Sequence, residues 1–388
     1  MHGNLCIRKK LMMPRPTFRV ILTAISIVSL LVPQPAAAAC AWYVVATPNP
    51  GNNENVLYGV SAVSASNVWA VGEHYAPDQS LTENWNGSHW SIVPTPNLGT
   101  LNLLSGIAKV SASNLWAVGS YIDSTFNVPQ TLTEQWNGRH WAIVPSANVN
   151  NNTNELNSVA AVSASDVWTV GLYSNGSANQ TLTEHWNGGS WSVVASPNAN
   201  SYNNVLNSTV AVSTCDVWAV GYYENGSSSP IRTLIEHWNG KRWSAVPSPN
   251  ATNNSLLFSV AAVSASDVWA VGNYQQGSTA RTLTEHWNGS RWSIVPSPNA
   301  NNSGNALSAV AVVSASNVWA VGSYTKGSSN QTLTEHWNGS RWFIVPSPNV
   351  NNNGSLSSVA AVSAASLWSV GQYKNGTVSQ TLAEWFHC

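Results

Sequence analysis

The sequence predicts an all-β chain folded as a seven-bladed β-propeller with four antiparallel strands per blade, and three observations carry that prediction. A Trp-x-Val-Gly core recurs seven times, at Trp69, Trp116, Trp168, Trp218, Trp269, Trp319 and Trp368, with spacings of 47 to 52 residues. Two more series keep step with it. Trp85, Trp136, Trp186, Trp238, Trp287 and Trp337 follow a Thr-Leu-Thr-Glu-His pattern, with Trp385 one place early, and Trp42, Trp90, Trp141, Trp191, Trp243, Trp292 and Trp342 close each unit, so all 21 tryptophans belong to the repeat. Finally, the two ends complement each other: the last unit stops after residues 381–388 without a fourth strand, while residues 42–49 read as a fourth strand with no unit of its own. A ring closed by an N-terminal outer strand beside three C-terminal strands accounts for both ends; an open solenoid would need polar caps instead.

Each element of the unit is legible in the third copy. An apolar run at 156–163 reads as the innermost strand, and an Ala-Ser-Asp turn leads to the second, at 167–172. A looser Asn, Gly and Ser-rich loop precedes the third strand at 181–186, and the Asn187-Gly188 pair is a strong hairpin signal leading to the fourth at 191–195. No stretch sustains a helical period. Aligning the chain ends on the internal hairpin around Asn338 and Gly339 sets Cys388 at the glycine and Cys40 at the next position. A Cys40–Cys388 disulfide is expected, which would constrain the unfolded chain over nearly the whole of 40–388.

Residues 1–39 read as a signal peptide: Arg8, Lys9, Lys10, Arg15 and Arg19 precede an apolar run at 20–32, and Ala37 and Ala39 suit cleavage before Cys40. The run is shorter than the ~20 residues of a membrane span, and no second candidate follows. A secreted, extracellular protein is expected, with lipidation of Cys40 as the alternative. The leader takes five of the fifteen Lys and Arg and none of the sixteen Asp and Glu, leaving a formal net charge of −6 on 40–388. Nucleic acid is therefore not an expected partner, and no cofactor is expected. A monomer is.

The Val-Ser-Ala-Ser-Asp-Val-Trp-Ala-Val-Gly and Glu-His-Trp-Asn-Gly-Ser-x-Trp signatures resemble repeats of secreted bacterial β-propellers and, more loosely, tectonin-type lectin and kelch propellers. The resemblance spans residues 40–388. It implies architecture strongly and activity weakly, since propellers serve as lectins, scaffolds, lyases and oxidases. The Gly-Gly pair of kelch repeats, the Trp-Asp of WD repeats and the Asp-box spacing of sialidases are all missing, so no catalytic residues carry over.

The repeated Glu83, Glu134, Glu184, Glu236, Glu285, Glu335 and Glu384 tempt a catalytic reading, but a catalytic pair needs two carboxylates in unlike environments. A group present once per blade is first a partner for a backbone N–H, a Ser hydroxyl or an indole between blades. The next residue is His at 185, 237, 286 and 336 but Asn84 or Gln135 elsewhere, a swap that hydrogen bonding tolerates and a metal site does not. Lys109 breaks the pattern, standing where Ala161, Ala211, Ala262 and Ala361 stand, and is expected either in the channel or at its rim.

The first-to-second and third-to-fourth turns are short and uniform, whereas the other two loop sets vary and share the opposite face. Ligand-binding candidates are therefore Glu73, His74, Tyr75, Asp78, Lys109, Tyr121, Asp123, Tyr222, Tyr223, Glu224 and Tyr274, with no catalytic or metal residues. The expected function is a non-enzymatic binding or adhesion module recognising carbohydrate or a protein surface, through that face and through repeated inter-blade sites. Two alternatives stand beside it: a lyase or glycosidase at the channel mouth, near Lys109 and the acidic loop residues, and a structural surface protein.

Overall fold

The computed structural model describes residues 40–388 except 52, 76, 77, 227–229 and 253, so the expected leader, and Ala76 and Pro77 of the first variable loop, lie outside the described residues. Seven four-stranded antiparallel sheets are formed, six of them from consecutive strands. The seventh joins Ala41–Val45 to Val378–His387, Ser366–Asn375 and Gly354–Ser363, which closes the ring as the complementary ends require. Tyr43 pairs with Trp385 and Val45 with Ala383, and Cys40 is disulfide-bonded to Cys388. The outer strands of the six consecutive blades are three residues long, as at Trp191–Val193, shorter than the run at 191–195 suggests, while Ala41–Val45 has five. Short edges leave little unpaired backbone to recruit another chain. Among the described residues no helix is long and apolar enough to cross a membrane.

The three tryptophan series meet at the blade interfaces. Trp69 of the first blade receives Trp141 of the second edge-on, with planes 85° apart, and Trp136 tilted against it at 4.7 Å between centroids. The same trio recurs as Trp116 with Trp186 and Trp191, and as Trp269 with Trp337 and Trp342. At the closure Trp368 takes Trp85 and Trp90 of the first blade. Edge-to-face aromatic pairs add about 0.5–1.5 kcal/mol each beyond burial, so the tryptophans hold neighbouring blades together. One reading of the repeat is corrected here: Phe386, not Trp385, fills the second-series place, lying 4.6 Å from Trp319. Trp385 takes the histidine's place, stacked on Trp368.

That histidine position is structural. His185, His237 and His286 reach Asp166, Asp216 and Asp267 at 2.8–2.9 Å. Asn84 donates to Asn67 and Gln135 to Asn114, each at 3.0 Å, and the indole of Trp385 donates to Ser366. Each pair ties the third strand to the start of the second.

Every innermost strand carries a β-bulge the sequence reading did not anticipate, with one residue unpaired after the repeated leucine, as between Leu156 and Ser158. It explains the glycine of Trp-x-Val-Gly: a Cβ on Gly171 would lie 1.9 Å from the carbonyl oxygen of Glu155. Gly171→Ala must shift backbone and is expected to cost about 1–3 kcal/mol in urea denaturation. Gly189→Ala, whose nearest neighbour is a side-chain oxygen 3.6 Å away, should leave the midpoint nearly unchanged.

Candidate binding site on the propeller axis

The unpaired bulge residues ring the axis: Tyr58, Ser105, Asn157, Asn207, Phe258, Ser308 and Ser357, one per blade in order. With their neighbours, the aliphatic Val60, Ile107 and Val159 among them, they line a cavity of about 540 Å³ with no charged group among the described residues of its wall. The following residue sets the spacing between blades. Ser158, Ser208, Ser259 and Ser358 accept the backbone N–H of Thr209, Val260, Val310 and Val60 on the next blade, each at 3.2 Å. Gly59 and Gly106 instead let the first three blades approach closely, a Cβ on Gly106 lying 3.1 Å from the Cα of Ser158. Asn157 and Asn207 donate their amides to the carbonyls of Leu206 and Leu257 at 2.9 and 2.8 Å, which fixes both side chains against the neighbouring strand.

Blade 1 breaks the sevenfold pattern. Tyr58 donates its hydroxyl to Glu73 Oε1 at 2.7 Å, and Tyr75 reaches the same oxygen at 3.3 Å. Burial raises the Glu73 carboxyl above its ordinary range, against the lowering effect of the two phenols, and nearby Asp78 and Glu54 add to the rise. Desolvation and the Glu73 charge push the Tyr58 phenol up in turn. His74 stands where the other blades place tyrosine, and burial lowers its pKa.

The sequence-predicted residues separate into three groups. Glu73, His74, Tyr75 and Asp78 gather at the loop end of blade 1 near the cavity. Tyr121, Tyr223 and Tyr274 pack against inter-blade cores, as do Tyr173, Tyr324 and Tyr373, and so belong to the scaffold. Asp123 accepts the backbone N–H of Thr125 and Phe126, shaping its own loop, and Glu224 accepts from Asn203 at 3.0 Å. Tyr222 occupies the Glu73-equivalent place in blade 4, half-buried beside Glu224.

Lys109 stands apart. It pairs with Leu115 next to the short turn and donates to the carbonyl of Ala62, whereas Glu73 and His74 pair with Val56 and Asn55 at the opposite end. Along the unbulged second strand of blade 1, five residues separate Val68, which pairs with Ala62, from Glu73, so at ~3.3 Å each the two levels lie about 17 Å apart. The expectation of one site near both Lys109 and the acidic loop is therefore not met.

The variable loops are not loose spacers. Asn97, Asn148, Asn198, Asn250, Asn299, Asn349 and Asn49 each accept the N–H at the start of a third strand, at 2.8–3.1 Å. Asn154 and Asn204, buried completely, accept N–H groups of the loops before them. The repeated glutamates are also fully buried, and three of them meet the segment that leaves the preceding blade. Thr95 donates to Glu134, the N–H of Ala147 to Glu184 and Ser248 to Glu285, so their partners are hydroxyls and backbone rather than indoles. Inter-blade tryptophans of the first series, such as Trp116 and Trp168, are likewise closed to solvent.

No family profile and no curated protein matches the sequence. Solved structures do. YCF48 bound to D1 peptide superposes with a TM-score of 0.57 at 12% identity, over 91% of this chain and 99% of that one. YCF48 from Cyanidioschyzon merolae gives 0.55 at 15% identity, over 89% and 99%. A PL25 ulvan lyase bound to a glucuronate–sulfated rhamnose oligosaccharide gives 0.55 at 9% identity, over 81% and 89%. The likeness is one of fold.

Sequence reasoning missed the bulge ring, and a signal for it was present. Between a repeated leucine and a repeated Val-Ala run, one position per blade changes from Tyr to Ser to Asn to Phe. Variability inside the most constant strand marks side chains that pack on nothing shared.

Proposed function

We propose that this protein is an exported, non-enzymatic binding module that takes a carbohydrate in one site on the propeller axis, at the variable-loop face. The observation that carries this reading is the uncharged cavity of about 540 Å³, walled by hydroxyls, amides and two aromatic rings. That size is within the range of ligand pockets. Sugars present hydroxyls at their edges and C–H groups on their faces, which suits such a wall. The basic and acidic leader-to-body contrast and the disulfide fit export.

The lyase alternative calls for groups that neutralise the substrate carboxylate, and among the described residues no Lys or Arg lines the cavity. Of the two acids near Glu73, Glu54 is paired with Lys374 at 2.9 Å. A protein-surface ligand remains the competing outcome of the test. Isothermal titration of residues 40–388 with the best ligand from a glycan array is expected to give one site per chain, not seven. A stoichiometry near seven, or no glycan bound, would overturn the reading.

A further inference from the structure

We infer that the axial cavity clamps a single uncharged pyranose ring, the terminal residue of a glycan, between Tyr58 and Phe258. The inference deepens the carbohydrate reading above and rests on it. Tyr58 belongs to blade 1 and Phe258 to blade 5, so the shorter way round the ring is three of seven steps, about 150°. The two aromatic residues therefore stand nearly opposite each other across the axis, both partly exposed and both lining the cavity. The remaining bulge positions are small or amide-bearing: Ser105, Asn157 and Asn207 on one arc, Ser308 and Ser357 on the other. A flat ring with apolar faces and hydroxylated edges matches two aromatic faces and two polar arcs.

Three features narrow the ligand. Seven innermost strands wall the cavity on every side, so a glycan enters along the axis by its end. No wall residue is charged, and burying a uronate or sulfate without a counter-charge costs several kcal/mol. Tyr58 is also held in place: its hydroxyl donates to Glu73, which keeps the phenol oxygen available as an acceptor for a sugar hydroxyl. Glu73 is thereby a positioning residue, acting on the ligand through Tyr58.

The test is a glycan array spanning termini of neutral hexoses, N-acetylhexosamines, uronates and sulfated sugars, followed by titration of variants with the best soluble oligosaccharide. Hits are expected on uncharged termini. Phe258→Ala and Tyr58→Ala should each weaken binding at least tenfold. Glu73→Ala should weaken it several-fold by releasing Tyr58, while Glu73→Gln, which keeps an acceptor, restores most of the affinity. Ser308→Tyr fills the cavity without deleting a packing group and should abolish binding even if the aromatic truncations disturb folding. Preference for a uronate or sulfate terminus, or undiminished affinity in both Phe258→Ala and Ser308→Tyr, would overturn the clamp while leaving a lectin elsewhere on the face. Failure of every glycan to bind would overturn the carbohydrate reading itself.

Discussion

Equilibrium unfolding of residues 40–388 is expected to show stability that declines steadily as the pH is raised from about 5 to about 8. The cause is the set of seven buried glutamates. Burial pushes Glu134 up to about 7 and Glu184, Glu285 and Glu384 up to about 8, and raises Glu83, Glu236 and Glu335 well above the ordinary carboxyl range. Below about pH 4 the folded and unfolded chains both hold these protons. Above it the unfolded chain, with carboxyls near 4.3, releases protons that the fold retains. The native state then binds more protons than the unfolded one, and stability falls by about 1.4 kcal/mol per pH unit for each such group, until the pH passes the folded values. Burial lowers the pKa of His74 and His336, which works the other way in acid, but two groups oppose seven.

Urea denaturation at pH 5, 6, 7 and 8 measures the slope. Glu236→Gln is the informative variant, because neither carboxyl oxygen of Glu236 has a partner among the described residues. A neutral amide of the same shape should reduce the slope by about one proton and leave stability at pH 5 little changed. A flat pH profile in the wild type would mean that the glutamates ionise in the fold.

The second large effect concerns ring closure. Cys40 and Cys388 are separated by 348 residues, and their disulfide joins the single outer strand contributed by the N-terminus to the strand beside it. In the chain-entropy account a cross-link over a loop of this length restricts the unfolded ensemble by about 6 kcal/mol. The double variant Cys40→Ser/Cys388→Ser, unfolded in urea beside the wild type, should lose a stability of that order. The other contacts of the N-terminal segment are substantial: Trp42 packs on Trp319 and Phe386, and Asn49 accepts the N–H of Thr381. Native-state hydrogen exchange should accordingly locate the lost protection first in Ala41–Val45 and its neighbour Val378–His387. Equal midpoints with and without the disulfide would show that strand pairing and tryptophan packing alone close the ring.

Much of the architecture was legible in the primary structure because it is written seven times. Period, strand order and the complementary ends require only local patterns and the rule that every strand must find a partner. The histidine position was likewise readable as a hydrogen-bonding one from its exchange with Asn84 and Gln135. Trp385 was harder, since a one-residue offset could not be told from a swap of roles until Phe386 was seen against Trp319.

The candidate site was legible only in part. Glu73, His74, Tyr75 and Asp78 were singled out because they depart from the repeat, and they do lie together. Tyr121, Tyr223 and Tyr274 looked like loop residues but lie in strands, partly buried against inter-blade cores, because the second strands extend further than the apolar run, as in Asp216–Glu224. What the sequence by itself determined is the propeller: its blade count, its closure and the residues between blades. What only the tertiary structure decided is the axial cavity. A bulge turns one unpaired residue per blade toward the axis, and curvature of the ring then brings Tyr58 and Phe258, 200 positions apart, to the same cavity while holding Lys109 at the far end of the channel. Those relations depend on register and ring geometry, which no local pattern encodes.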